Sequence, residues 1–168
     1  MPSVLVLLVR TWLVTAVIDG LFSSCLSAFF YGSTVARLWQ GVASVPLGPS
    51  ALQGGSRTVL IGLALHLTVA LTWSIVFLTL YSAISRLRSI SSTVGGALVV
   101  ACVYGPLIWM TMSFIVIQHF TNRPPTINVR WWVQFFGHIP FVALPIVLST
   151  AIGTRTVARG SSLASSPA

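Results

Sequence analysis

VLVLLVRTWLVTAVIDGLFSSCLSAFFY, Val4 to Tyr31, decides the fold: it is apolar almost throughout, and near its middle stands Asp19, the only acidic residue of the chain. Thr11 to Phe30 alone supplies about the 20 residues that a hydrocarbon core requires. An Asp at the centre of a bilayer costs about 2.5–3.5 kcal/mol on insertion scales, so it turns toward protein or water and finds a partner there, or else is protonated. Arg10 is not that partner. Nine residues at 100° each put it on the opposite face of the helix, about 13 Å away along the axis. Gly20, Ser24 and Ala28 repeat at a spacing of four beside Ser23 and Ser27, the small-residue pattern of helices that pack closely in lipid, so the Asp19 side is expected to face protein. The run lacks a basic leader and extends well past the roughly 7–15 residues of a signal-peptide core, which reads as a retained membrane helix.

Composition extends this reading to the whole chain. With 168 residues, 55% of them hydrophobic and 6% charged, and a mean hydropathy of +0.95, the chain lacks the polar residues to cover a water-soluble domain. The formal charge of +8 comes from nine arginines, no lysine and one aspartate. These arginines are mostly spread over the ends of apolar segments, as interfacial anchors are, and form no patch that could track phosphates; nucleic acid is rejected as a partner. Cys25 and Cys102 lie in separate apolar segments without a CxxC or ligand pattern and read as small buried hydrophobes.

Four apolar stretches, about 4–31, 57–85, 93–120 and 130–153, predict an all-α integral membrane four-helix bundle. Between the first two, Val35, Leu38, Trp39, Val42 and Val45 recur at helical spacing over about three turns, too short to cross, and predict a short interfacial helix. Pro46, Gly48, Pro49 and Gly54-Gly55 then return the chain. Thr93 is a candidate N-cap for the third span, Pro106 interrupts it, and Pro140 and Pro145 predict a bend in the fourth. Trp131-Trp132 reads as an aromatic belt, and Trp109 and Tyr104 as packing residues. Residues 154–168 have the small, polar composition of a disordered tail. Four spans put both termini on one side. The short loop with Arg86 and Arg88, together with Arg10, Arg155 and Arg159, favours the cytoplasm for that side.

Rise per residue compares depths. Counted from the non-cytoplasmic ends, His66 is about 13 Å below Arg57, His138 about 12 Å below Arg130 and Asp19 about 16–18 Å below Tyr31, a common layer within about one helical turn. The predicted site is therefore a polar intramembrane cluster of Asp19, His66 and His138. It reads either as a proton-sensitive or ligand-binding site or as a hydrogen-bond network locking three helices together. His119, at the end of the third span, reads as an ordinary interfacial residue. His66 and His138 are also the one pair at matching depth for the axial ligands of a haem b, the alternative cofactor reading; otherwise no cofactor is expected. With no HExxH, no nucleophile beside a base and no second carboxylate, neither a catalytic residue nor a metal site is assigned, and an enzyme is not expected.

Asp19-Gly20, LWQGVASVPLGPSALQGG at 38–55, GLALHLTVALTW at 62–73, YGPLIWMTM at 104–112 and GHIPFVALPI at 137–146 resemble the pattern of the YagU-like group of small uncharacterised bacterial inner-membrane proteins. The resemblance spans most of the chain and leaves out the serine-rich tail. It implies a four-helix protein of the bacterial inner membrane, with Asp19 and His66 as positions of interest and no implied chemistry. Three functions follow as expectations. The first is a non-enzymatic accessory or interaction subunit whose partners are the lipid bilayer and a larger membrane complex or a second copy of the chain. The second is a small proton-linked transporter or channel using Asp19. The third is a haem-binding electron-transfer subunit using His66 and His138.

Overall fold

The computed structural model describes the backbone of residues 4–164 and the side chains of residues 4–154. Its four long helices are α1 (Val4–Phe30), α3 (Gly55–Ala83), α5 (Val94–Thr121) and α6, whose apolar span is Val129–Thr154; each is long and apolar enough to cross a membrane. The fold is an all-α four-helix bundle, and its spans fall within two residues of the expected bounds, apart from the C-terminal end of α6. There the last segment, Leu144–Ala164, stays helical over eleven residues, 154–164, for which the sequence reads as tail. Residues 165–168 lie outside the described residues.

Two short helices join the spans. α2 (Val35–Leu47) starts at Thr34, whose side chain accepts from the Arg37 amide, an N-cap that satisfies one of the four free donors of a helix start. Pro46 is tolerated inside its last turn, and Gly48, at φ 82°, turns the chain out of it. α2 is the helix expected between the first two spans, and it is pressed onto α3. A Cβ on Gly62 would stand 1.9 Å from the Trp39 carbonyl oxygen, so only glycine permits this approach. Gly62 is about 7.5 Å along α3 from Arg57, so α2 is seated well below the start of that span. α4 (Ser85–Ile90) occupies the connection read as a plain loop. It brings Arg88 back under α3, where its guanidinium donates to the carbonyls of Tyr81 (3.0 Å) and Ser82. These carbonyls belong to the last turn of α3 and have no partner further along the helix.

The N-cap of α5 is Thr93, as its sequence position suggests, accepting from the Gly96 amide at 3.0 Å. Three spans change winding along their length. α1 is π-helical over Leu26–Phe30, α5 over Met112–Ile117 and α6 over Ile139–Ala143. The segment in α6 lies where two prolines lead to the expectation of a bend. Pro140 and Pro145 cannot donate to the carbonyls four residues back, and the wider turn contains the first and ends two residues before the second.

The dense core is at one end of the bundle. Phe77 and Tyr81 of α3, Ala97, Ala101, Tyr104 and Ile108 of α5, and Val142, Ala143, Ile146 and Val147 of α6 form one buried cluster. Its alanines let backbones approach closely, which is how helices gain contact where lipid removes the hydrophobic drive between them. Tyr104 hydroxyl donates to the Trp73 carbonyl at 2.7 Å, satisfying a phenol that would otherwise be orphaned.

Three sequence readings change here. Trp131 is buried, and its indole donates to Ser113 Oγ at 2.8 Å, while Trp132 faces outward; one of the two tryptophans ties α6 to α5. Cys25 and Cys102 are exposed on the outer faces of their helices, because a bundle solvated by lipid can place apolar residues outside. Ala28 is also exposed, so the stripe through Gly20 makes close contact chiefly at Gly20, whose Cβ position is 3.5 Å from His66 Nε2 and 3.8 Å from the Trp39 ring.

Candidate functional site

The end opposite the dense core is hollow. A cavity of about 640 Å³ runs down between α1, α2, α3, α5 and α6, within the usual size range of small-molecule sites. Its walls follow from helical periodicity. Asp19, Ser23, Ser27 and Tyr31 line it from α1, and Arg130, Gln134 and His138 line it from α6. Each set is spaced by four residues, which keeps it on one helical face. The two helices are antiparallel, so Tyr31 meets Arg130 at the mouth while Asp19 meets His138 at the bottom. The guanidinium of Arg130 stands 4.4 Å from the centre of the Tyr31 ring. Asp19 is about 18 Å along α1 from Tyr31.

The rest of the wall is apolar and aromatic. α2 contributes Leu38, Trp39, Val42 and Val45, and the second half of α5 contributes Trp109, Met112, Val116, Ile117 and Phe120. Two of the three π-helical segments border this hollow, at Ser27 and at Met112, Val116 and Ile117, and the third starts at the residue after His138 and packs into the dense core. Wide turns of this kind recur where a helix is reshaped around a site.

At the bottom, His66 Nδ1 lies 3.7 Å from Asp19 Oδ2. The other nitrogen of that ring, Nε2, is 2.9 Å from the Ala16 carbonyl. A carbonyl only accepts, so Nε2 carries a hydrogen and Nδ1 is the atom left to face the carboxyl. His138 repeats the arrangement: its Nδ1 donates to the Gln134 carbonyl at 2.7 Å and leaves Nε2 free. Its ring packs 4.9 Å from that of Trp109. Asp19 interacts electrostatically with His138 and His66 and accepts a hydrogen bond from the Ser23 hydroxyl. One carboxyl and two free ring nitrogens thus share one polar pocket, and a proton there has three places to reside. Every other polar contact of the two rings is to backbone.

The structure brings together the three residues that the depth comparison selects. His119 is exposed, with its ring against Phe120, and takes no part. Among the described residues, no three His, Cys, Asp or Glu side chains are disposed to hold one metal ion. The sequence reading misses Trp109, Tyr31, Arg37 and Arg130 as wall residues. Trp109 Nε1 and the Tyr31 hydroxyl are buried without a protein partner, although Trp109 reads from sequence as packing. The signal that finds Tyr31 is the period of four leading from Asp19.

The chain matches no protein-family model, no curated protein and no solved structure. The resemblance to the YagU-like group therefore stands on its motifs alone, and the class of the protein is what fold and site define: a multi-pass α-helical membrane protein with an ionisable cluster at the foot of an open cavity.

Proposed function

We propose that this protein is a small proton-linked transporter or channel of the bacterial inner membrane, related to the YagU-like group, with both termini in the cytoplasm and no bond-making chemistry. The observation that carries the reading is the cavity that reaches from the helix ends to Asp19, where one carboxyl faces two imidazole nitrogens. An ionisable group buried at mid-span without function would be costly and would need only a lock of hydrogen bonds around it. A lock has no use for a water-sized approach of some 640 Å³. That is why transport is preferred to the accessory-subunit reading. The apolar and aromatic walls with a few convergent polar atoms suit a small organic molecule as the transported or gating species, with Asp19 as the group whose proton is exchanged.

The test is proton flux into vesicles holding the purified protein and an internal pH-sensitive dye, with an imposed potential. The parent is expected to acidify the lumen. Asp19→Asn keeps the size of the side chain and removes its proton chemistry, so flux falls by about 10²-fold, the low end of what a positioned proton-transfer group contributes. Vesicles no leakier with the parent than without protein would overturn the reading, as would an Asp19→Asn variant that conducts like the parent.

A further inference from the structure

The cavity reaches Asp19 from one side only, and the line of residues that forms its α1 wall continues past Asp19 toward the other. Thr11 and Thr15 extend the same period of four, and both are 0% exposed. So is Thr150 of α6. None of the three hydroxyls has a hydrogen-bond partner in the protein, although a helical Thr can bond the carbonyl of the preceding turn, as Thr68, Thr72 and Thr79 do in α3. A buried hydroxyl without a partner is costly, and three on one seam call for a physical account.

Helix register places them together. Leu7 packs on Gly153, where a Cβ would come within 2.3 Å of its Cδ1, and Phe22 packs on Gly137 and stacks on Phe141 at 4.0 Å. One turn onward from Leu7 and one turn back from Gly153 bring Thr11 and Thr150 to the same level. Thr15 then stands between that level and Asp19. The other buried residues of these two helix stretches include Ala16, Ser149 and Ala151, which are small, while Ile146 and Val147 belong to the dense cluster.

We infer that ordered water occupies the Thr11–Thr15–Thr150 seam and carries protons between Asp19 and the end of the bundle opposite the cavity. Buried water characteristically makes about three hydrogen bonds to polar groups that the protein leaves unsatisfied, and three hydroxyls at this spacing provide them. Each hydroxyl can both donate and accept, which is what a proton-passing chain requires. The inference rests on the proton-linked reading and completes it, since a cavity that stops at mid-span needs a second half-path.

Two measurements test it. In the first, Thr11→Val and Thr15→Val remove a hydroxyl at constant shape. If water fills the seam, the variants strand its hydrogen bonds and Tm falls by about 2–4 °C, while Thr15→Ser, which keeps the hydroxyl, stays near the parent. If the seam is dry, valine relieves an orphaned group and Tm rises, which overturns the inference. In the second, the Thr11→Val/Thr15→Val protein in vesicles is expected to lose proton flux toward the level of protein-free vesicles, with Thr15→Ser retaining it. Undiminished flux in the valine variant beside a conducting parent sinks the seam alone; a parent that passes no protons sinks the transport reading with it.

Discussion

The two ends of this bundle are built from the same helices and differ in what those helices carry. At one end, Ala97, Ala101 and Ala143 are completely buried and Phe77 and Ile108 fill the remaining space. At the other end, Trp39, Trp109, Met112 and Phe120 stand around a cavity. Small residues let backbones meet, so the first end closes. Large side chains, a wedge-like α2 and the wide helical turns at Leu26–Phe30 and Met112–Ile117 hold the second end apart. The comparison teaches that the hollow is not a packing failure, because the polar ladders of α1 and α6 face into it and the dense end carries the stability that such a hollow costs.

The sharpest way to break this division is to delete equal bulk from each end. Phe77→Ala opens a void in the dense cluster, where Phe77 is 1% exposed and touches the rings of Tyr81 and Tyr104. The cost is expected near the low end of the ~3–5 kcal/mol found in soluble cores, because lipid as the alternative solvent removes much of the transfer contribution and leaves the cavity contribution. Phe120→Ala removes the same ring from the cavity wall, where Phe120 is 54% exposed; it only enlarges a space already open, and costs less than about 1 kcal/mol. Thermal unfolding in one detergent measures both. Equal losses would mean that the cavity end is as tightly packed as the core.

Gly62→Val probes the joint between the ends, because it strikes the Trp39 backbone at a point where no side chain can move aside. Overpacking of this kind costs about 1–3 kcal/mol, and here it is expected to release α2 from α3 while the dense end stays intact. The readouts are a rise in Trp39 solvent exposure and cleavage by added protease in the turn at residues 48–54. A variant with α2 still protected would show that Gly62 is not the seat of that helix.

Much of this layout was legible before any coordinates. Apolar runs of the right length define the four spans, because the bilayer punishes any other content, and rise per residue puts Asp19, His66 and His138 in one layer. Contacts that depend on which backbone meets which were not legible. Nothing in LWQGVASVPL announces that its Trp39 carbonyl rests on Gly62. The π-helical turns arise where packing absorbs an extra residue, and only the one that contains Pro140 has a local cause. The buried face of α1 could have been found, since Thr11, Thr15, Asp19, Ser23, Ser27 and Tyr31 keep a strict spacing of four. The small residues Gly20, Ser24 and Ala28 drew the reading one position aside, because a stripe of small residues and a stripe of hydroxyls look alike as helix-packing signals.

The smallest effect comes from a pair of tryptophans that differ in one hydrogen bond. Trp131 donates from its indole to Ser113 Oγ at 2.8 Å inside the contact between α5 and α6. Trp109 packs about 6.2 Å from it, ring centre to ring centre, and its ring lines the cavity, yet its buried indole nitrogen meets no protein acceptor. Exchanging either for phenylalanine removes the same volume and the same N–H, so packing losses largely cancel in the difference between the two variants. Trp131→Phe also strands the Ser113 hydroxyl and is expected to be the less stable by about 0.5–1.5 kcal/mol, the net worth of one such bond. The difference in Tm between the two variants, measured in detergent without added ligand, reads this directly. If Trp109→Phe is already as damaging as Trp131→Phe with nothing bound, the Trp109 indole has a partner within the protein, and the wall of the cavity is more tightly built than its open geometry implies.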